Sequence, residues 1–302
     1  MEPQTPNTAP VIQAATDFSE TAAAALDWAV ELARQQGARI ELIHAVTIPP
    51  SIPGYIPSAD TDFQEEVIRA AEARLAEAAA GLKDKAIPIT VTFLLPGTPS
   101  QVILDRAEAI SPLAIVLGTR GLTGLKHLLL GSTAQRVVHG ARCPVLAVHP
   151  GDLGKHRTIR TILVPTDFSP AAGLAITTAH RLLAPLERDA RLILLNVFNL
   201  PIEYTAYGPI PTSVRFLQDN GLEAERRLYE AAQALQREGL TVETVAREGD
   251  PGHVIAEEAE KRGADLIAMG TRGLTGLRHL LLGSTAERVV EYAPCPVMTI
   301  RR

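Results

Sequence analysis

Residues 118–138 read GTRGLTGLKHLLLGSTAQRVV, and residues 270–290 read GTRGLTGLRHLLLGSTAERVV. Two positions differ: Lys126 answers Arg278, and Gln135 answers Glu287. Outward from this pair the repeat continues. ATDFS at 15–19 answers PTDFS at 165–169, and CPVLAV at 143–148 answers CPVMTI at 295–300. A period of roughly 150 residues is one ordinary domain, so the chain reads as a duplication rather than a solenoid. The expected domains are 1–150 and 151–302, with the boundary in the polar stretch PGDLGKHR at 150–157.

Within each copy, short apolar runs alternate with helical patterns. In the second copy the expected strands are 160–166, 191–198, 241–246, 265–270 and 296–300. The expected helices are 170–184, 215–238, 251–262 and 284–292, with Leu217, Leu228, Ala231 and Leu235 on the buried face of the second. The first copy repeats the order, with strands near 11–16, 39–46, 87–95, 113–117 and 144–148. Strand–helix alternation with short connections predicts an α/β doubly wound domain, built twice. Ligands of such sheets sit beyond the carboxyl ends of the strands, where the strand order reverses.

Gly118-x-x-Gly121, nine residues, then Gly131-Ser132-Thr133 follows the fourth strand of copy one. Gly270-x-x-Gly273, nine residues, then Gly283-Ser284-Thr285 follows that of copy two. Glycines permit positive φ, and they let main-chain N–H groups approach an anion with no Cβ in the way. A helix opening at Gly-Ser-Thr presents unpaired N–H groups and the positive end of its dipole. Arg120 and Arg272 lie within the loops and suit phosphate oxygens. The competing reading is that the glycines only make turns and Ser132 only caps a helix. Neither a G-x-x-x-x-G-K-[ST] loop nor a G-x-G-x-x-G fingerprint occurs, which removes the usual support for kinase and dehydrogenase readings.

The G-x₂-G-x₉-G-[ST] spacing, with a first strand that ends in TDFS, resembles the universal stress protein family over nearly the whole chain, twice. The resemblance implies a five-stranded parallel sheet of order 3-2-1-4-5 in each copy. It also implies an ATP-binding branch, in which an aspartate after strand one and a main-chain position on strand two lie near the adenine, while the glycine loop takes ribose and phosphates. Carried onto this sequence, these are Asp17, Val46, Gly118, Gly121, Gly131 and Ser132, and then Asp167, Val197, Gly270, Gly273, Gly283 and Ser284. ATP, ADP or AMP is the expected ligand, with Mg²⁺ arriving on the phosphates. Asp17 and Asp167 can accept a hydrogen bond from an adenine amine, and they can equally cap the helix that follows. Ala15 stands where copy two has Pro165, and Gln13 weakens the first strand of copy one.

The long connections at 47–60 and 199–213 carry Tyr55, Tyr204 and Tyr207, which either cover a base or belong to proline-stiffened links. His44 is expected as a packed core or interface residue, and His127 and His279 either reach a phosphate or are solvated loop residues. No His/Cys/Asp cluster has metal-ligand spacing. Cys143 and Cys295 read as small buried hydrophobes in a reducing, cytoplasmic setting. A net charge of −5 gives no basic footprint for nucleic acid or anionic lipid. The polar start MEPQTPNTAP is no signal peptide, and no apolar run is long enough to span a membrane. The reading is a nucleotide-binding stress or regulatory protein without a catalytic residue set. The alternatives are a slow ATPase or phosphotransferase, and an interaction module with empty loops. The apolar last strands, at the edge of a 3-2-1-4-5 sheet, are expected to pair the two domains within the chain, and a homo-oligomer is expected beyond that.

Overall fold

The computed structural model describes residues 9–46, 61–82, 87–94, 97–121, 130–152, 158–185, 190–198, 202–205, 208–211, 214–271 and 283–301. The chain divides into two compact units, Met1–His156 and Arg157–Arg302.

The first unit runs β1 (Val11–Ala15), α1 (Glu20–Gln36), β2 (Arg39–Ala45), α2 (Thr61–Ala80), β3 (Ile89–Leu94), α3 (Pro99–Ile110), β4 (Ala114–Gly118), α4 (Ser132–Gly140) and β5 (Val145–Val148). Its strands are parallel in the order β3-β2-β1-β4-β5. The second unit runs β6 (Thr161–Pro165), α5 (Pro170–Leu183), β7 (Arg191–Phe198), β8 (Ile202–Thr205), β9 (Gly208–Pro211), α6 (Val214–Arg237), β10 (Thr241–Glu248), α7 (Pro251–Lys261), β11 (Leu266–Gly270), α8 (Ser284–Tyr292) and β12 (Val297–Ile300). Its parallel order, β10-β7-β6-β11-β12, is the same topology. The order of strands thus reverses between β1 and β4 in one unit and between β6 and β11 in the other.

The central strands are buried on both faces, which explains their continuous apolar runs. Ile12, Ile40, Ile115 and Leu146 are wholly buried in the first unit, as are Ile162 and Leu163 in the second. β10 lies at an edge and is exposed or half-buried along its length except at Val245, which is buried. The buried face of α6 is Ala224, Leu228, Ala232 and Leu235. Ala232 takes the place expected of Ala231, because a step of four from Leu228 keeps the stripe in line. The side chain of Leu217 lies outside the described residues. The connection at 199–213 contains the antiparallel hairpin β8–β9, which the pattern of prolines and tyrosines did not predict.

Two buried positions set the units apart. Gln13, wholly buried on β1, donates from Nε2 to the Ile103 carbonyl of α3 at 3.1 Å. It therefore ties the strand to a helix rather than weakening it. Beside it in register, Glu41 is 1% exposed and accepts two bonds from Arg106, Nε to Oε1 at 2.6 Å and Nη2 to Oε2 at 2.8 Å. Hydrogen bonding to Glu41 raises the Arg106 guanidinium above its ordinary range and keeps it charged. The second unit has Leu163 and Ile193 at these two places, both wholly buried. Its charges lie further out instead, in a chain of pairs linking Arg191, Glu243, Arg262, Glu258 and Arg247.

Candidate functional site

Each TDFS segment folds into the same turn at the carboxyl end of a central strand. The Phe18 N–H donates to Thr16 Oγ1 at 3.0 Å, and the Ser19 N–H donates to Asp17 Oδ1 at 3.0 Å. Ser19 then caps α1 by accepting from the Ala22 N–H at 3.2 Å. Phe168, Ser169 and Ala172 make the same three bonds with Thr166, Asp167 and Ser169. The capping residue is therefore the serine, and the aspartate closes a tight turn just before it. That turn forces Phe18 and Phe168 to φ 66° and 62°, in a region that costs a bulky residue roughly 1–2 kcal/mol. Packing offsets this cost. The Arg74 guanidinium of α2 lies 4.5 Å over the Phe18 ring, and that of Arg227 of α6 lies 4.1 Å over the Phe168 ring.

The glycines act by closeness. None of Gly118, Gly121, Gly131, Gly270 or Gly283 has positive φ, contrary to the turn reading. A Cβ on Gly118 would stand 2.8 Å from Thr21 Cγ2, and one on Gly270 would stand 2.9 Å from Ala171. These two glycines let the ends of β4 and β11 press against the first turns of α1 and α5. A Cβ on Gly121 would come within 2.5 Å of Asp17 Oδ2, so the glycine loop and the TDFS turn converge at this point.

The far end of each loop is pinned by main chain. The Gly131 N–H donates to the Thr119 carbonyl at 2.8 Å, and the Gly283 N–H donates to the Thr271 carbonyl at 2.9 Å. α4 and α8 begin directly afterwards with glycine in the capping position and no side-chain cap. The two helices that the TDFS turns open are capped by serine, and α7 is capped by Asp250. Among the described residues no side chain caps α4 or α8, nor α3, where Thr98 makes no cap bond; helix N-termini of this kind suit an anion.

In the first unit these elements enclose a cleft of about 250 Å³. It brings together Asp17, Gly118, Arg120, Gly121, Gly131, Ser132 and Thr133. Val46 is buried and does not line it, whereas His44 and Ala45 do. The strand register explains this. Ala15 pairs with Ile43 and Pro165 with Leu195, so His44 corresponds to Asn196, and Ala45 corresponds to Val197. Val46 corresponds to Phe198 and is not the partner of Val197. Thr119, 3% exposed and part of the cleft wall, has a buried Oγ1 with no protein partner, a hydroxyl available to a ligand acceptor. Its position just after β4 was the signal that could have singled it out.

In the second unit Asp167 makes the same turn, Gly270 the same close approach and Gly283 the same main-chain bond, while Ser284 and Thr285 open α8 and Val197 lies near the end of β7. Arg272, Gly273, His127, His279, Tyr55, Tyr207 and the side chain of Tyr204 lie outside the described residues. Among the described residues, no group of three or more His, Cys, Asp and Glu could hold a metal ion, and no helix is long and apolar enough to cross a membrane. Neither cysteine is in a disulfide. Cys295 is buried and Cys143 only partly so, yet burial pushes the Cys143 thiol up to about 11, far from that of a reactive thiolate.

A model of the universal stress protein family matches residues 11–149 and again 158–301. A universal stress protein of Mycolicibacterium smegmatis is 29% identical over 290 residues, 94% of this chain and 95% of its own length. The crystal structure of a universal stress protein from Archaeoglobus fulgidus covers 98% of this chain and 99% of its own, with a TM-score of 0.73 at 24% identity, a likeness of fold. A universal stress protein from A. fulgidus solved in complex with dAMP matches 46% of this chain and 97% of its own at 25% identity, with a TM-score of 0.35. The chain belongs to the universal stress protein family, with one such domain in each half.

Proposed function

We propose that each half binds one adenine nucleotide, and that the bound nucleotide sets the conformation or assembly of a stress-response protein. The observation that carries this reading is the contrast in capping. α4 and α8 open with glycine and no side-chain cap, while the helix after each TDFS turn is capped by serine. Phosphate oxygens supply acceptors for such N–H groups, and the helix dipole favours their charge. Ser132, Thr133 and Arg120, with Ser284, Thr285 and Arg272, would take the phosphates, and the Thr119 hydroxyl adds a donor in the first half. Asp17 and Asp167, with the main chain at Ala45 and Val197, would face the base. Mg²⁺ would come with the phosphates. A cytoplasmic setting and a homo-oligomer belong to the same proposal. Mass spectrometry of small molecules released from purified protein by denaturation tests it. Adenine nucleotide near the molar amount of protein is the expected result, and protein that neither carries nor takes up nucleotide refutes it.

The halves should differ in affinity. Pro165 ends β6 where Ala15 ends β1, and a fixed φ reduces the entropy lost in ordering the strand end by about 0.4–1 kcal/mol. The second half is therefore expected to bind up to about fivefold more tightly. Calorimetric titration of Asp17→Ala and Asp167→Ala variants isolates the two sites, and equal affinities would refute the asymmetry. Pairing of the halves through their last strands stays a proposal, based on the place of β5 and β12 at one end of their own sheets. Slow amide hydrogen exchange along both strands is expected, and fast exchange on their outer N–H groups would exclude it.

A further inference from the structure

We propose that His44 and Asn196 are equivalent positioning residues that also choose the base. This rests on the nucleotide reading above. Two bonds hold the residue before each site aspartate. The Thr16 N–H donates to the Ile43 carbonyl at 2.9 Å, and the Thr166 N–H donates to the Leu195 carbonyl at 2.8 Å. The carbonyl of the same residue is taken by a side chain from the second strand. His44 Nδ1 lies 2.8 Å from the Thr16 oxygen, and Asn196 Nδ2 donates to the Thr166 oxygen at 2.7 Å. The strand end that projects Asp17 or Asp167 is thus fixed through both of its main-chain groups.

The chemistry of the anchor then dictates what remains. A carbonyl oxygen only accepts, so His44 must carry its proton on Nδ1. In the neutral ring this leaves Nε2 as an acceptor, and the amide of Asn196 is left with Oδ1, also an acceptor. His44 is a wall of the cleft, with its ring centroid 4.4 Å from that of Phe18 and the two rings tilted by 41°. An acceptor at the base end suits an exocyclic amine such as that of adenine, and it disfavours a base with a carbonyl there. Two different side chains thereby perform one task.

AMP and inosine monophosphate, whose base carries a carbonyl in place of the amine, are the probes. Both are titrated calorimetrically at pH 8 into the full chain and into Gly283→Val, which confines binding to the first half. AMP is expected to bind about tenfold more tightly than inosine monophosphate in each half, the order of one hydrogen-bonded base contact. His44→Asn and Asn196→His keep a donor for the anchor and an acceptor for the base and should keep the preference, whereas His44→Leu and Asn196→Leu should lose it. Long-range ¹H–¹⁵N spectra of the imidazole should show the proton on Nδ1 without ligand. An unchanged preference for AMP in folded His44→Leu, or a proton on Nε2 in place of Nδ1, overturns this assignment and leaves the nucleotide reading standing. No binding of AMP at pH 8 to either half overturns both.

Discussion

Gly283→Val is expected to abolish nucleotide binding by the second half, with a loss of at least about 100-fold in affinity, while the protein still folds. Gly283 sits at φ −73°, ψ 147°, a conformation that valine adopts without strain. A Cβ there would stand 3.4 Å from the Thr271 carbonyl, ordinary contact. Valine is a poorer capping residue than glycine, a cost to the isolated helix of about 1 kcal/mol. The branched side chain would stand over the uncapped first turn of α8, where the phosphate is proposed to bind. Losing two charge-assisted hydrogen bonds at roughly 1.5–3 kcal/mol each exceeds 100-fold. Gly131 is a less clean target, because its Cβ would come within 3.1 Å of the Thr119 carbonyl and the backbone would have to give. Calorimetry should find half the stoichiometry in Gly283→Val, and full stoichiometry in the folded variant would remove the phosphate assignment.

Arg106→Ala is expected to destabilise the first half by about 3 kcal/mol, the lower end of the cost of leaving a buried charge without its partner. The lower end applies because the Arg106 side chain is 32% exposed and its loss admits some water toward Glu41. The double variant Glu41→Ile, Arg106→Leu should be neutral or stabilising, since a buried pair exchanged for packed apolar groups recovers its desolvation. The second half already has Ile193, wholly buried, at the place of Glu41. Trp28 is the single tryptophan of the chain and is buried in α1, so its fluorescence reports the unfolding of the first half without that of the second. An unchanged denaturation midpoint in Arg106→Ala would show that the carboxylate finds another partner.

The repeat made the fold legible. Once two halves matched, short apolar runs such as RLILLNVF could be read as buried strands twice over, and their bounds agree with β7 to the residue. Site residues were legible where a motif fixes them, as at Asp17 and Gly131. They were obscured where position depends on register. The offset between the copies is 150 at Ser19 and Ser169 but 152 at Ile43 and Leu195, and no motif marks the change, so Val46 was matched to Val197 although the sheet sets Ala45 there. Glycine type alone does not say whether a torsion or a missing Cβ is needed. Gly118 proves to be a matter of contact with Thr21, which only the packing reveals. The bond from Asn196 to Thr166 spans 30 positions in sequence, and nothing local in either segment announces it.

That shift from 150 to 152 also says where a duplicated domain can change length. It falls between the first helix and the second strand of each copy, α1 to β2 and α5 to β7, a connection that enters its strand at the amino end. Within each turn and within each glycine loop the spacing is kept: Asp17 to Ser19 matches Asp167 to Ser169, and Gly118 to Gly131 matches Gly270 to Gly283. Two descendants of one ancestral segment have therefore drifted in length at the rim away from the cleft. For an engineer, this rim is the place to graft a tag, a fluorophore or a reporter domain while leaving the cleft alone.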